Sequence, residues 1–195
     1  MAYDEVALVK NLPGGSDVAW ERYARPQRYY TTAITGCTAP TTLALTASRL
    51  YAIPFLVSGT HTFIRLAITV STLSAGNARM GIYTNTTGDL YPNALVAGTD
   101  VAEVSTGTTG LKETTISWSP SPGLYWLCVL AQATPTVRAI AVGDSMPTLG
   151  LSADFSVALG NAWYVAYTYA ALPATYPGGG TINTAAMPLV ALLRQ

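Results

Sequence analysis

The feature that most constrains the fold is a regular alternation of short β-type runs with turn-forming residues, which continues from Arg49 to the C-terminus. The run FIRLAITV (residues 63–70) would place Ile64, Leu66, Ile68 and Val70 on one side and Phe63, Arg65, Ala67 and Thr69 on the other. A period of two residues is typical of a half-buried strand. We therefore predict a strand here, with the first set facing a core.

Comparable runs follow each other along the rest of the chain: RLYAIPFLV, ARMGIYT, ALVAGTDVAEV, LKETTISW, GLYWLCVLA, VRAIAV, NAWYVAYTY and MPLVALLR. They are separated by SG, SAGN, NTTGD, STGTTG, SPSP, GDSMP and PGGG, which are rich in residues that favour turns. Many short strands joined by tight turns predict an all-β chain, either a sandwich or a barrel.

Two of these runs carry positional information. GLYWLCVLA (residues 123–131) is apolar on both faces, which predicts a central strand whose second face is covered by another element. Pro54 interrupts RLYAIPFLV (residues 49–57), and proline cannot donate a hydrogen bond to a neighbouring strand. The second run is therefore predicted to be an edge strand or a bulged one.

The charged residues are concentrated at the N-terminus, although charged residues make up only 10% of the chain. Those of the first 28 residues are Asp4, Glu5, Lys10, Asp17, Glu21, Arg22, Arg25 and Arg28. Ser16 as an N-cap and Pro26 as a stop predict a short helix between them. Residues 1–47 are interpreted as an extended docking arm with this helix, and residues 48–195 as the β-sandwich domain.

The arm supplies aromatic and arginine side chains, the residue types enriched at the energetic centres of protein interfaces. We predict an assembly interface formed by Trp20, Tyr23, Arg25, Arg28, Tyr29 and Tyr30. Two arrangements stay open: docking on another chain, or an intramolecular strap over the sandwich.

The overall composition argues against several classes of partner. Ten acidic and ten basic residues give a formal net charge of zero, so no general field attracts nucleic acid. Apolar residues are not gathered into a run long enough for a transmembrane helix, so no membrane insertion is expected. Asp4 and Glu5 stand where a secretion signal would carry basic residues, so standard export is not expected either.

Metal and cofactor sites are not predicted. Cys37 and Cys128 are the only cysteines and His61 is the only histidine, too few for a structural zinc site. Cys128 lies in an apolar run and is predicted to be a buried free thiol, while a disulfide with Cys37 remains the alternative.

Catalytic motifs are also weak. GDSM (residues 143–146) is similar to the block around the nucleophilic serine of some esterases, but Ser145 has no histidine downstream. His61 is interpreted as a solvated imidazole at the head of a strand. No pair of carboxylates stands out for glycoside hydrolysis, and LPGGSD lacks the lysine of a phosphate-binding loop. We expect no enzymatic activity.

The turn NTTGD (residues 85–89) has two interpretations: a tight connection between strands, or a tip that contacts sugar. Asn85-Thr86-Thr87 also matches the N-glycosylation pattern, which has meaning only in an exported protein. Trp118 and Trp126 are interpreted as core residues, whereas Trp163 could form an aromatic platform. The candidate glycan-contact residues are Asn85, Thr87, Asp89, Tyr91 and Trp163.

Three segments together resemble a known domain family: SRLYAIPFLV, ARMGIYTNTTGDLYPNALV and STGTTGLKETTISWSPSPGLYWLCVLAQ. They are similar to a jelly-roll-like β-sandwich domain of bacteriophage virion proteins, found in tail fibres, minor tail proteins and head-surface proteins. The matching positions are Arg79 to Tyr83, Tyr91-Pro92, Thr108 to Glu113, Pro122 to Leu127 and Leu172 to Pro177. The resemblance spans residues 48–195 and consists of turn and packing motifs.

The resemblance implies a non-catalytic building or attachment module, commonly a homotrimer, that binds other virion proteins of the capsid or tail. Its location would be the virion, after synthesis in the host cytoplasm. It leaves open a second role, binding of a host surface glycan. No collagen-like repeat or coiled-coil heptad precedes the domain, so a compact protein with a docking arm is expected rather than a long fibre.

Overall fold

The structure of the protein, a computed structural model, describes residues 25–32, 39–57, 59–144, 149 and 162–195. Its strands are β1 (Tyr29–Tyr30), β2 (Thr41–Ala44), β3 (Arg49–Val57), β4 (Phe63–Thr72), β5 (Asn77–Asn85), β6 (Pro92–Leu95), β7 (Val104–Ser105), β8 (Gly110–Trp118), β9 (Gly123–Ala131), β10 (Thr136–Ile140), β11 (Ala162–Ala166), β12 (Thr181–Asn183), β13 (Met187–Pro188) and β14 (Ala191–Arg194). Within these ranges the only helical turn is a 3-10 turn at Val142–Asp144. The all-β prediction is confirmed.

In the described part of the chain, the strands form two antiparallel seven-stranded sheets. In the first sheet, β8 pairs with one side of β4, and β14 and β10 pair with successive parts of the other side. Strand β1 continues the sheet beyond β14, while β2 and β13 pair with β10. The second sheet has the order β12-β11-β3-β9-β5-β6, with β7 also paired with β5.

The main core lies between the two sheets, as in a β-sandwich. Leu66, Ile68 and Val70 of β4 belong to it, as predicted, together with Leu127 and Val129 of β9. Phe63 belongs to it as well, which corrects the predicted orientation at the start of β4. The register of β4 shifts between Phe63 and Arg65, and a shift of one residue exchanges the two faces of a strand.

A second core covers the outer face of the second sheet. Trp126, Cys128 and Leu130 of β9 point to this side and are fully buried. They are covered by residues 167–180, called here the covering segment, which contributes the buried side chains Leu172 and Tyr176. The prediction that GLYWLCVLA is a central strand with both faces buried is therefore confirmed, since β9 lies between β3 and β5.

Strand β3 is central in its first half and an edge in its second. Arg49–Ala52 pairs with β11 on one side and β9 on the other, whereas from Ile53 onward only β9 pairs with it among the described strands. Pro54 lies in this second half, opposite Trp126. Because no described strand pairs with this half of β3 on its other side, Pro54 lies where a missing N–H is tolerated. The second half of β3 therefore agrees with the prediction of an edge strand.

Two predicted runs are not single strands. ALVAGTDVAEV ends as a strand at Leu95 and resumes only at Val104. The turn between them is held by Thr99, whose hydroxyl donates to the carbonyl of Val96 and accepts from the amide of Ile82. MPLVALLR is likewise divided into β13, which pairs with β10, and β14, which pairs with β4.

The predicted arm helix between Ser16 and Pro26 lies outside the described residues, apart from Arg25 and Pro26. The part of the arm that is described contributes β1 and β2 to the first sheet. No helix in the described part of the chain is long and apolar enough to cross a membrane.

Candidate binding surfaces

The described part of the arm is attached to its own sandwich through backbone pairing. Strand β1 pairs with β14, and the amides of Gln27 and Arg194 donate to the carbonyls of Arg194 and Arg28, respectively. Tyr30 is half-buried and packs against the main core. In these residues the arm is therefore an intramolecular strap.

Tyr29 extends this attachment across the outer face of the first sheet. Its hydroxyl donates to Glu113 of β8, so the side chains bridge from one edge of the sheet to the other. The strands between them present Ala191 and Ala67, whose small side chains leave room for a tyrosine ring. Burial raises the pKa of Tyr29 to about 12, and the hydrogen bond with Glu113 contributes in the same direction.

A shallow apolar groove lies beside this bridge. It has a volume of about 150 Å³ and is lined by Tyr29, Ala67, Ile68, Thr69, Leu111, Leu189 and Ala191. Leu111 of β8 is half exposed and forms part of its wall. The outer face of the first sheet thus combines an arm residue with an apolar surface that the described residues leave open.

The remaining arm residues differ in their exposure. Arg25 and Arg28 are exposed. The backbone amide of Arg25 donates to the hydroxyl of Tyr30 at 2.6 Å. Trp20 and Tyr23 lie outside the described residues. The structure therefore brings Arg25 and Arg28 to one end of the first sheet, next to β1.

The NTTGD turn is organised by Asn85. Its Oδ1 accepts a hydrogen bond from Nε1 of the buried Trp126 at 2.9 Å, and its Nδ2 donates to the carbonyls of Thr86 and Asp89 at 2.8 and 2.7 Å. Both ends of the amide are thus engaged within the protein. The side chain of Asn85 acts as a scaffold for the turn, and the connection interpretation is the one its contacts support.

Aromatic rings form a chain from the second core to this turn. Tyr83 contacts Tyr176 edge to face at 5.5 Å between ring centroids, Tyr176 contacts Tyr91 at 5.6 Å, and Tyr91 contacts Trp163 at 5.1 Å. Nε1 of Trp163 donates to the carbonyl of Leu90 at 2.7 Å. The four rings hold the turn against the covering segment.

The hydroxyl groups of these tyrosines are also used internally. Tyr91 donates to the carbonyl of Pro177 and accepts from the amide of Gly180, while Tyr176 donates to the carbonyl of Leu50. Burial raises the pKa of Tyr91 and, more strongly, that of Tyr176. These phenols are consequently protonated over the physiological range and serve as fixed donors.

Of the candidate glycan-contact residues, the structure brings Asn85, Asp89, Tyr91 and Trp163 together at one end of the second sheet. Thr87 and Asp89 are exposed at the tip, and Trp163 is half-buried. The polar atoms free to face a ligand are therefore concentrated in Thr87 and Asp89.

An ion network near the start of β5 was not predicted from the sequence. Arg79 of β5 contacts Asp100 at 3.0 Å and Glu103 at 3.2 Å, and Asp100 also accepts from the amide of Leu172 at 2.8 Å. The network ties the loop between β6 and β7 to the covering segment. No local signal could have identified it, because the partners are far apart in the chain and only Arg79 lies in a strand.

The sites considered for catalysis give no constellation in the described residues. His61 is buried and packs edge-on against Phe63, which corrects the prediction of a solvated imidazole. Ser145 lies outside the described residues. Within the described ranges, no group of three or more His, Cys, Asp or Glu side chains could hold a metal ion.

Cys128 is a buried free thiol, as predicted, and burial raises its pKa well above the ordinary value. Trp118 and Trp126 are core residues, also as predicted. Cys37 lies outside the described residues.

Comparison of the sequence with models of protein families and with curated proteins found no match in either case.

Proposed function

We propose that the protein is a non-catalytic structural component of a bacteriophage virion. In this proposal a jelly-roll-like β-sandwich is exposed on the capsid or tail and is docked there through the N-terminal arm. Its partners are other virion proteins and further copies of the same chain, with the trimer that the family resemblance implies.

The observation that best supports a docking arm is the attachment of residues 25–30 to the first sheet. Strand pairing with β14 and the bond from Tyr29 to Glu113 fix the position of this segment. Arg25 is exposed at the beginning of this segment and follows directly after the charge-rich residues 1–24. A fixed starting point reduces the conformational entropy that an extended arm loses on binding.

Composition supports the same conclusion. A virion protein functions by being stable and by burying surface against its neighbours, so a charged fraction of 10% is compatible with that role. The described residues devote their polar side chains mainly to turns and strand connections, as Asn85, Thr99 and Tyr91 illustrate.

Deletion of residues 1–24 tests the role of the arm. This truncation keeps β1 and the bond from Tyr29 to Glu113, so the domain should keep the circular dichroism spectrum and melting temperature of the full chain. We expect it to be absent from purified particles when it replaces the full-length protein. Particles that contain the truncated chain in normal copy number would refute arm docking.

A matched pair of substitutions locates the contact more closely. Arg25→Ala/Arg28→Ala removes the two exposed arginines next to β1, whereas Arg138→Ala removes an exposed arginine of β10. The double variant should reduce incorporation into particles, and the β10 variant should not. Equal incorporation of both variants would argue against a contact at this end of the sheet.

A second candidate function is binding of a host surface glycan by the tip of the second sheet. The observation that favours it is the placement of exposed Thr87 and Asp89 beside the half-buried Trp163, since sugar rings stack on aromatic side chains while polar groups bind their hydroxyls.

This alternative is tested on a glycan array with the assembled oligomer. Thr87→Ala/Asp89→Ala should abolish binding, whereas Thr109→Ala, an exposed residue in the turn before β8, should leave it unchanged. An array on which the wild-type oligomer binds no glycan would eliminate the alternative and leave the structural role unaffected.

A further inference from the structure

We draw no further inference here: the strongest candidate, the shallow apolar groove lined by Tyr29 and Leu111 on the outer face of the first sheet, carries none because nothing in the described part of the chain shows what covers it.

Discussion

Replacement of Asn85 by alanine is expected to destabilise the protein far more than a turn substitution normally does. The change removes the acceptor for Nε1 of Trp126, a side chain with 0% exposure, and two donors to the carbonyls of Thr86 and Asp89. A buried donor left without a partner costs about 1–3 kcal/mol. The two carbonyl bonds lie at the exposed tip, where water can replace them in part.

Together these losses give a decrease in the free energy of unfolding of about 2–4 kcal/mol. For a chain of this size, 1 kcal/mol corresponds to a shift in melting temperature of about 2–4 °C. The assay is urea denaturation followed by tryptophan fluorescence, with thermal melting as a second measurement. Asn93→Ala, at an exposed position of β6, is the control and should stay within about 0.5 kcal/mol of the wild type.

A double-mutant cycle isolates the contact with Trp126. Trp126→Phe removes the indole N–H, so Asn85→Ala should cost at least about 1 kcal/mol less in that background than in the wild type. If Asn85→Ala costs the same in both backgrounds, or no more than Asn93→Ala, the scaffold role of Asn85 is wrong. The result also matters for glycan binding, because a destabilised turn would lose a ligand without contacting it.

Three further predictions follow from other parts of the molecule. Gly81→Ala should lower the free energy of unfolding, measured in urea, by about 1–3 kcal/mol, because the added Cβ would lie 2.5 Å from a leucine methyl carbon of the covering segment. Gly143→Ala is the control and should lower it far less, because a Cβ added there would meet no atom within 4 Å. Tyr29→Phe should lower the free energy of unfolding by about 0.5–1.5 kcal/mol at pH 7 by removing the bond to Glu113. The pKa of Tyr29 is raised to about 12 in the folded protein, so this contribution is fully present below about pH 10 and is lost between pH 10 and 12. If Tyr29→Phe and the wild type still differed in free energy of unfolding at pH 12, the prediction would be contradicted. Cys128 should resist alkylation by iodoacetamide in the folded protein and react in urea, as read by mass spectrometry of its peptide, since its buried thiol has a raised pKa.

The sequence was most informative where one strand could be recognised from its own residues. Strands β3 and β9 were predicted with the bounds that the structure gives, because turn residues enclose two long apolar runs. Strands β1, β2 and β12 were missed. They have two to four residues, are rich in threonine or tyrosine, and owe their conformation to pairing with β14, β10 and β11.

The candidate surfaces were predicted less completely, for a related reason. Asn85 and Tyr91 could be grouped from the sequence because they are close in the chain, but the bond from Trp126 to Asn85 depends on strand register. The attachment of Tyr29 to Glu113 depends on small residues in two intervening strands. Such contacts arise from tertiary structure, and residue type alone indicates only that a surface is possible.

The covering segment has a consequence for the order in which the chain can fold as it leaves the ribosome. Until residues 167–180 have emerged, the outer face of β9, with Trp126 and Leu130, lacks the cover that Leu172 and Tyr176 provide. Strand β14, which closes the first sheet beside β1, comes even later. Most contacts in this fold are long-range, so folding is expected to be slow and largely post-translational. A nascent chain truncated before residue 167 would expose an apolar sheet face and aggregate, which makes chaperones part of its route to the native state.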